Sequence, residues 1–151
     1  MNLKIKNYEL ETFAYLLYEM KLGGKKSRMR TRLFKVLQNH LNDLKESNEA
    51  LINEYAVHDE AGNLVYANEE QTEIKLDMQN GHEYHKEYTT LMNEENVIEV
   101  NEATKDMILT VAESFLVEEV EINQNDAMIY DNICEQLEEI IAHYEFNEAS
   151  E

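Results

Sequence analysis

The residues best placed to do chemistry are charged. Residues 25–35 read KKSRMRTRLFK, and six of the eleven are basic: Lys25, Lys26, Arg28, Arg30, Arg32 and Lys35. The whole chain has 13 basic residues against 32 acidic ones, a formal net charge of -19. On a helix Lys25, Arg28 and Arg32 share a face, with Lys26 and Arg30 on a neighbouring one. Such a face could grip phosphates or an acidic protein surface. Apart from Phe34, no interleaved aromatic is present to stack bases. Cations at a helix start oppose the macrodipole by roughly 0.3–1 kcal/mol, so carboxylates are expected to face them. These could belong to the same chain, a second subunit or an external ligand. Nucleic acid is disfavoured as that ligand, because the overall field repels it.

The acidic residues form the other candidate surface. Glu118, Glu119, Glu121, Glu135, Glu138 and Glu139 could present an acidic face to a basic partner, imitating the phosphates of DNA. As paired-carboxylate catalysts they carry no signal, because acids are abundant and a cleft is not legible. His82 and His85 share a helical face near Glu87, but a third ligand at metal-site spacing is missing. Asp59 and Glu70 bound a twelve-residue window, yet Ala61 stands at its third position and Gly62 at its fourth, so the calcium-loop pattern fails. Cys134 is the sole cysteine and lies in an apolar stripe, which reads as a buried structural thiol. No phosphate-binding loop, dinucleotide fingerprint or nucleophile motif is present. The expectation is a non-enzymatic protein with no cofactor and no metal.

The elements that must position these residues follow from periodicity. Leu3 and Ile5 alternate with Lys4 and Lys6 as in a half-buried strand. Asn7 is expected to cap a helix bearing Leu10, Phe13, Leu17 and Met20 on one face, ended by Gly23-Gly24. A long helix is expected from about Ser27 to about Tyr55, its stripe made of Leu33, Leu37, Leu41, Leu44, Leu51 and Tyr55. From Leu37 the spacing approaches a heptad with Asn48 in the seam, which suits a coiled-coil arm or an ordinary bundle helix and is compatible with a homodimer. Residues 64–66 and 74–76 read as a hairpin, with turns at Asp59–Asn63 and Asn80-Gly81. A helix with Tyr84, Tyr88, Leu91 and Met92 is expected to return along the long helix. Strands follow at Val97–Val100 and Val117–Ile122, and Asn101 and Asn123 are each expected to cap the helix behind them. The fold class is therefore helix-rich α+β: a long helical arm with a short β-hairpin tip, a small sheet and two C-terminal helices. Residues 1–146 are expected to form one domain, with an acidic tail at 147–151 that frays.

Charge divides unevenly. Residues 1–45 hold ten basic and four acidic residues, and residues 46–151 hold three basic and 28 acidic. Hydrophobic residues make up 43%, enough for a folded core given their periodicity. No run approaches the ~20 apolar residues of a membrane span, and the start lacks a signal-peptide apolar segment. A cytosolic protein without membrane contact is expected.

Five segments, KIKNYELE, KSRMRTRLFKVL, NEYAVHDEAGN, LMNEENVIEV and YDNICEQLEEI, occur in that order. Together they resemble an uncharacterised family of small proteins of phages and prophages of Gram-positive bacteria, a domain of unknown function, over roughly residues 3–141. The resemblance supplies no catalytic residues. It implies a phage origin and an accessory role in the virion or its assembly, in the host cytoplasm or associated with the virion. The resulting expectation is an acidic phage protein that binds a protein partner. The alternative is a DNA-mimicking inhibitor of a host nuclease or defence complex.

Overall fold

A computed structural model describes residues 1–76 and 78–150, with the side chains of Met78 and Gln79 excepted. The chain divides into two units, Met1–Leu41 with Glu95–Glu151, and Asn42–Glu94. Strand β1 (Asn2–Lys6) pairs antiparallel with β2 (Glu95–Glu99), Leu3 opposite Ile98 and Ile5 opposite Asn96. The period of two sends Leu3 and Ile5 into the core and Lys4 outward. Helices α1 (Asn7–Glu19), α4 (Lys105–Val117) and α5 (Ala127–Ala149), with the first part of α2 (Gly24–Tyr55), supply the rest of this core. Phe13 meets Phe115 edge to face at 5.6 Å, and Phe115 meets Tyr130 at 5.4 Å. Leu10, Leu17, Leu33, Leu37, Ile108, Ile133, Leu137 and Ile140 fill the space around them. The expected α+β class is what the chain adopts: helix-rich, with one small antiparallel sheet.

Several local expectations change. Asn7 is the first residue of α1, not its cap. It is buried, and its Oδ1 accepts from Asn96 Nδ2 at 2.8 Å. Lys6 takes the cap position, and Glu9 three residues on closes the turn by accepting the Lys6 N–H at 2.8 Å. Gly24 opens α2 rather than ending α1; its φ of +57 is a conformation that glycine adopts freely. Asn101 accepts the N–H groups of Ala103 and Thr104 in a turn ahead of α4, so that helix starts four residues later than Asn101. Asn123 likewise accepts the Asp126 N–H at 3.1 Å in a turn ahead of α5, which starts four residues later with Asp126 at the cap position.

Val117–Ile122 is not a strand. Val117 is the last residue of α4, and residues 118–123 have no regular structure. A strand needs a partner strand, and Glu121 and Ile122 instead line a hollow with Tyr15 and Leu16 of α1. The Gln136 side chain accepts the Lys4 N–H at 2.8 Å and donates to the Lys4 carbonyl at 2.9 Å, as a neighbouring strand would.

The second unit holds the rest of α2 and helix α3 (Met78–Met92). Between them three short segments bridge antiparallel: Ala56 with Leu76, His58 with Leu64, and Tyr66 with Ile74. Val57 donates to Lys75, Lys75 to Val65 and Val65 to Val57, each at 2.9 Å, a closed ring of three backbone bonds. The expected hairpin is present and gains this third segment. The expected Asp59–Asn63 turn is also present, with Asp59 Oδ1 accepting from Ala61 and Asn63 and Gly62 at φ +84. Asn80-Gly81 is not a turn but lies in the first residues of α3, where helical N–H groups have no intrahelical partner and a turn signal costs little.

Candidate functional site

The basic stretch opens α2, and its cations have three fates. Lys25 pairs with Asp106 at 2.9 Å, both side chains being about two-thirds exposed (62% and 65%). Arg30 Nη1 donates to the carbonyls of Leu17 at 2.7 Å, Tyr18 at 3.3 Å and Met20 at 2.6 Å, where α1 ends. The Leu17 carbonyl also accepts the Met20 N–H at 3.3 Å, and the three carbonyls cluster at the negative end of the α1 dipole, so a guanidinium is the fitting cap. Lys26, Arg28, Arg32 and Lys35 are exposed and form no ion pair with another described residue. Thus, among the described residues, Lys25 and Arg30 are the cations of this stretch whose charge meets the same chain.

The acidic candidates sit on two elements. Glu118, half-buried, and Glu119 and Glu121, both exposed, lie in the irregular segment after α4. Glu135, Glu138 and Glu139 are exposed on α5. No hydrogen bond or ion pair within the described residues brings the two groups together. On α5 Asp131, Glu135 and Glu138 follow at helical spacing and Glu145 continues the row one heptad on, in steps of about 4.5–10 Å along the axis. Residues 106–151 contain 13 acidic residues and no Lys or Arg.

A cleft of about 750 Å³ opens in the first unit beside β1, lined among others by Lys4, Lys6, Tyr8, Glu9, Asn132 and Gln136. Glu9 is the buried carboxylate there, accepting from Lys6 N–H and from Asn132 Nδ2 at 2.8 Å. It ties the start of α1 to α5. The sequence reading missed Glu9. Its only signal is an acid three residues beyond Lys6, a spacing obscured because lysine has no acceptor with which to complete a capping box.

The second unit carries a different surface. From Gln38 to Val97 no described residue is buried. The expected stripe is present, but its members in this unit, Leu44, Leu51 and Tyr55, are only half-buried, as is Leu41 at the end of the first unit. Asn48 in that seam has its Oδ1 shielded from water without a hydrogen-bond partner. Tyr55 meets Tyr84 at 6.3 Å edge to face, and Tyr84 stacks on Tyr88 at 5.9 Å. Burial raises the Tyr55 pKa, and the carboxylates of Glu54, Glu87 and Glu83 raise it further. Burial, then Tyr88, raises that of Tyr84.

Cys134 is half-buried, and its thiol is pushed up by burial; a hydrogen bond with Tyr130 pulls it down, and Glu138 and Asp131 push it up. A raised pKa keeps the sulfur as a thiol, the less nucleophilic form. His82 and His85 are exposed on α3. Among the described residues no three His, Cys, Asp or Glu converge as metal ligands, and no helix is long and apolar enough to cross a membrane.

These features define a helix-rich α+β protein with charged, open surfaces. Over residues 1–143 the chain matches the family described as Protein of unknown function (DUF1617), and it belongs to that family. No curated protein and no solved structure matches it.

Proposed function

We propose that this chain is a non-enzymatic, acidic phage protein whose work is to bind another protein, as a virion accessory or assembly factor. The observation that carries this reading is the second unit. A stretch of 53 residues, Asn42–Glu94, buries none of its described residues and leaves a leucine–tyrosine seam half-exposed. Burial of apolar surface contributes about 25 cal/mol per Å², so a partner covering the seam gains directly from it. A phage origin rests on the resemblance of the five sequence segments.

The test is affinity capture from phage-infected cells with wild-type protein and with Leu51→Asn, washed at low and at high salt. Virion proteins that survive salt and are lost with Leu51→Asn support the reading. Capture unaffected by Leu51→Asn, or turnover of phosphoesters or glycans by the purified protein, removes it.

A second reading is favoured by the acidic row on α5. In it the protein inhibits a host nuclease or defence complex by imitating DNA. One DNA strand carries a phosphate about every 3.4 Å, a denser row than α5 provides. That difference keeps this reading second. It predicts capture of a nucleic-acid enzyme that washes off with salt and is lost in Glu135→Gln/Glu138→Gln/Glu139→Gln.

A further inference from the structure

The seam of the second unit ends in an aromatic ladder, Tyr55–Tyr84–Tyr88, with ring centroids 6.3 and 5.9 Å apart. All three rings are half-buried, while Glu54, Glu83 and Glu87 beside them are exposed. Glu54 adjoins Tyr55 at the end of α2, and Glu83 and Glu87 adjoin Tyr84 and Tyr88 on α3; all three raise the Tyr55 pKa. Aromatic faces attract cations within about 6 Å, and carboxylates attract the same groups. The surrounding charge has one sign: residues 42–94 hold 13 acidic and three basic residues. Next to the ladder runs a heptad-spaced apolar stripe, the shape that receives one face of a helix.

We propose that Tyr55, Tyr84 and Tyr88 with Glu54, Glu83 and Glu87 dock a basic amphipathic helix of a partner protein, taking its Lys or Arg side chains against the rings and carboxylates while its apolar face covers the seam. This rests on the protein-binding reading and names the partner's chemistry. A second copy is the less fitting occupant of the same face. Two such units, each with ten more acids than bases, repel one another.

The test uses the full chain and three fluorescein-labelled peptides: a Leu/Lys amphipathic helix, its Leu/Gln counterpart, and a scrambled Leu/Lys peptide. Binding is read by fluorescence anisotropy. The Leu/Lys helix is expected to bind with a Kd on the order of micromolar. Glu54→Gln/Glu83→Gln/Glu87→Gln is expected to weaken it by about tenfold or more. Tyr84→Leu/Tyr88→Leu, which keeps apolar bulk but removes the ring faces, is expected to weaken it as well. Glu11→Gln/Glu102→Gln/Glu113→Gln makes the same change in net charge on exposed sites of the first unit and is expected to leave binding unchanged.

Equal loss in that last variant, or equal binding of the scrambled peptide, means bulk charge and overturns the proposal. Equal binding of the Leu/Gln helix overturns cation recognition but leaves protein binding standing. Failure of both helical peptides to bind overturns both. Sedimentation supplies the remaining outcome. A dimer lost both in the triple Glu→Gln arm variant and in Arg28→Gln/Arg32→Gln/Lys35→Gln seats a second copy there and overturns a separate partner.

Discussion

Arg30 and its neighbours share a charge but differ in what they touch. Three backbone carbonyls converge on Arg30 Nη1, whereas Arg28 and Arg32 meet solvent. Arg30→Gln is therefore expected to lower unfolding stability by about 1–3 kcal/mol in urea, while Arg28→Gln and Arg32→Gln stay within about 0.5 kcal/mol. Equal losses across the three would deny Arg30 its capping role. Asn48 presents the opposite case, a polar atom whose removal should help. Its Oδ1 is shielded and unpaired, so Asn48→Leu is expected to raise stability by about 1–2 kcal/mol and the melting temperature with it. A lower melting temperature would mean that the amide finds a partner in solution. The sequence places both residues correctly, Arg30 on a helix and Asn48 in a seam. It does not reveal their partners, since Leu17, Tyr18 and Met20 reach Arg30 only once α1 has ended and the chain has turned into α2.

At the scale of elements, β1 depends on side chains from other parts of the chain. Gln136 on α5 completes its outer edge, and Glu9 fastens the start of α1 to Asn132. Gln136→Ala is expected to cost about 1–2 kcal/mol, measured as a lower urea midpoint, and to bare the Lys4 backbone for strand pairing between molecules. A midpoint equal to wild type would show that water replaces the glutamine without loss. The tyrosines of α2, α3 and α5 add a pH dependence. Tyr55, Tyr84 and Tyr130 each have a pKa raised above 10.0, burial being the first cause. An acid with a raised folded-state pKa binds its proton more tightly when folded. Its contribution is fully present below the unfolded value and is lost as pH rises through the folded one. Stability is thus expected to fall above about pH 10, and to fall less steeply in Tyr84→Phe, as followed by circular dichroism against pH.

At the scale of the molecule, the net charge of -19 governs behaviour. Only one ion pair, Lys25 with Asp106, joins opposite charges among the described residues. Self-repulsion is therefore largely uncompensated. Screening should relieve it: raising monovalent salt from about 0.01 to 0.15 M shortens the Debye length from about 30 to 8 Å and is expected to raise the melting temperature. A melting temperature indifferent to salt would mean that the acids are spaced too widely to interact. The same field makes binding of any basic partner fast and salt-sensitive.

The sequence by itself determined the class of fold, both strands of the sheet, the core face of α1 and the course of the long helix. These follow from period and composition, which act over a few neighbouring residues. It also determined the sign of the surface. Only the tertiary structure decided that Val117–Ile122 would remain unpaired, because a strand exists only where another strand meets it, and Glu121 and Ile122 come instead beside Tyr15 and Leu16 of α1. The tertiary structure likewise turned Asn7 from a cap into a buried partner of Asn96, 89 residues away, and made Glu9 a tie between α1 and α5. It divided the basic stretch into a cap, an ion pair and an exposed remainder. It also gathered Tyr55, Tyr84 and Tyr88, from two helices, into one ladder. Each of these depends on contacts between residues far apart in the chain, and local pattern carries no information about which distant group will arrive.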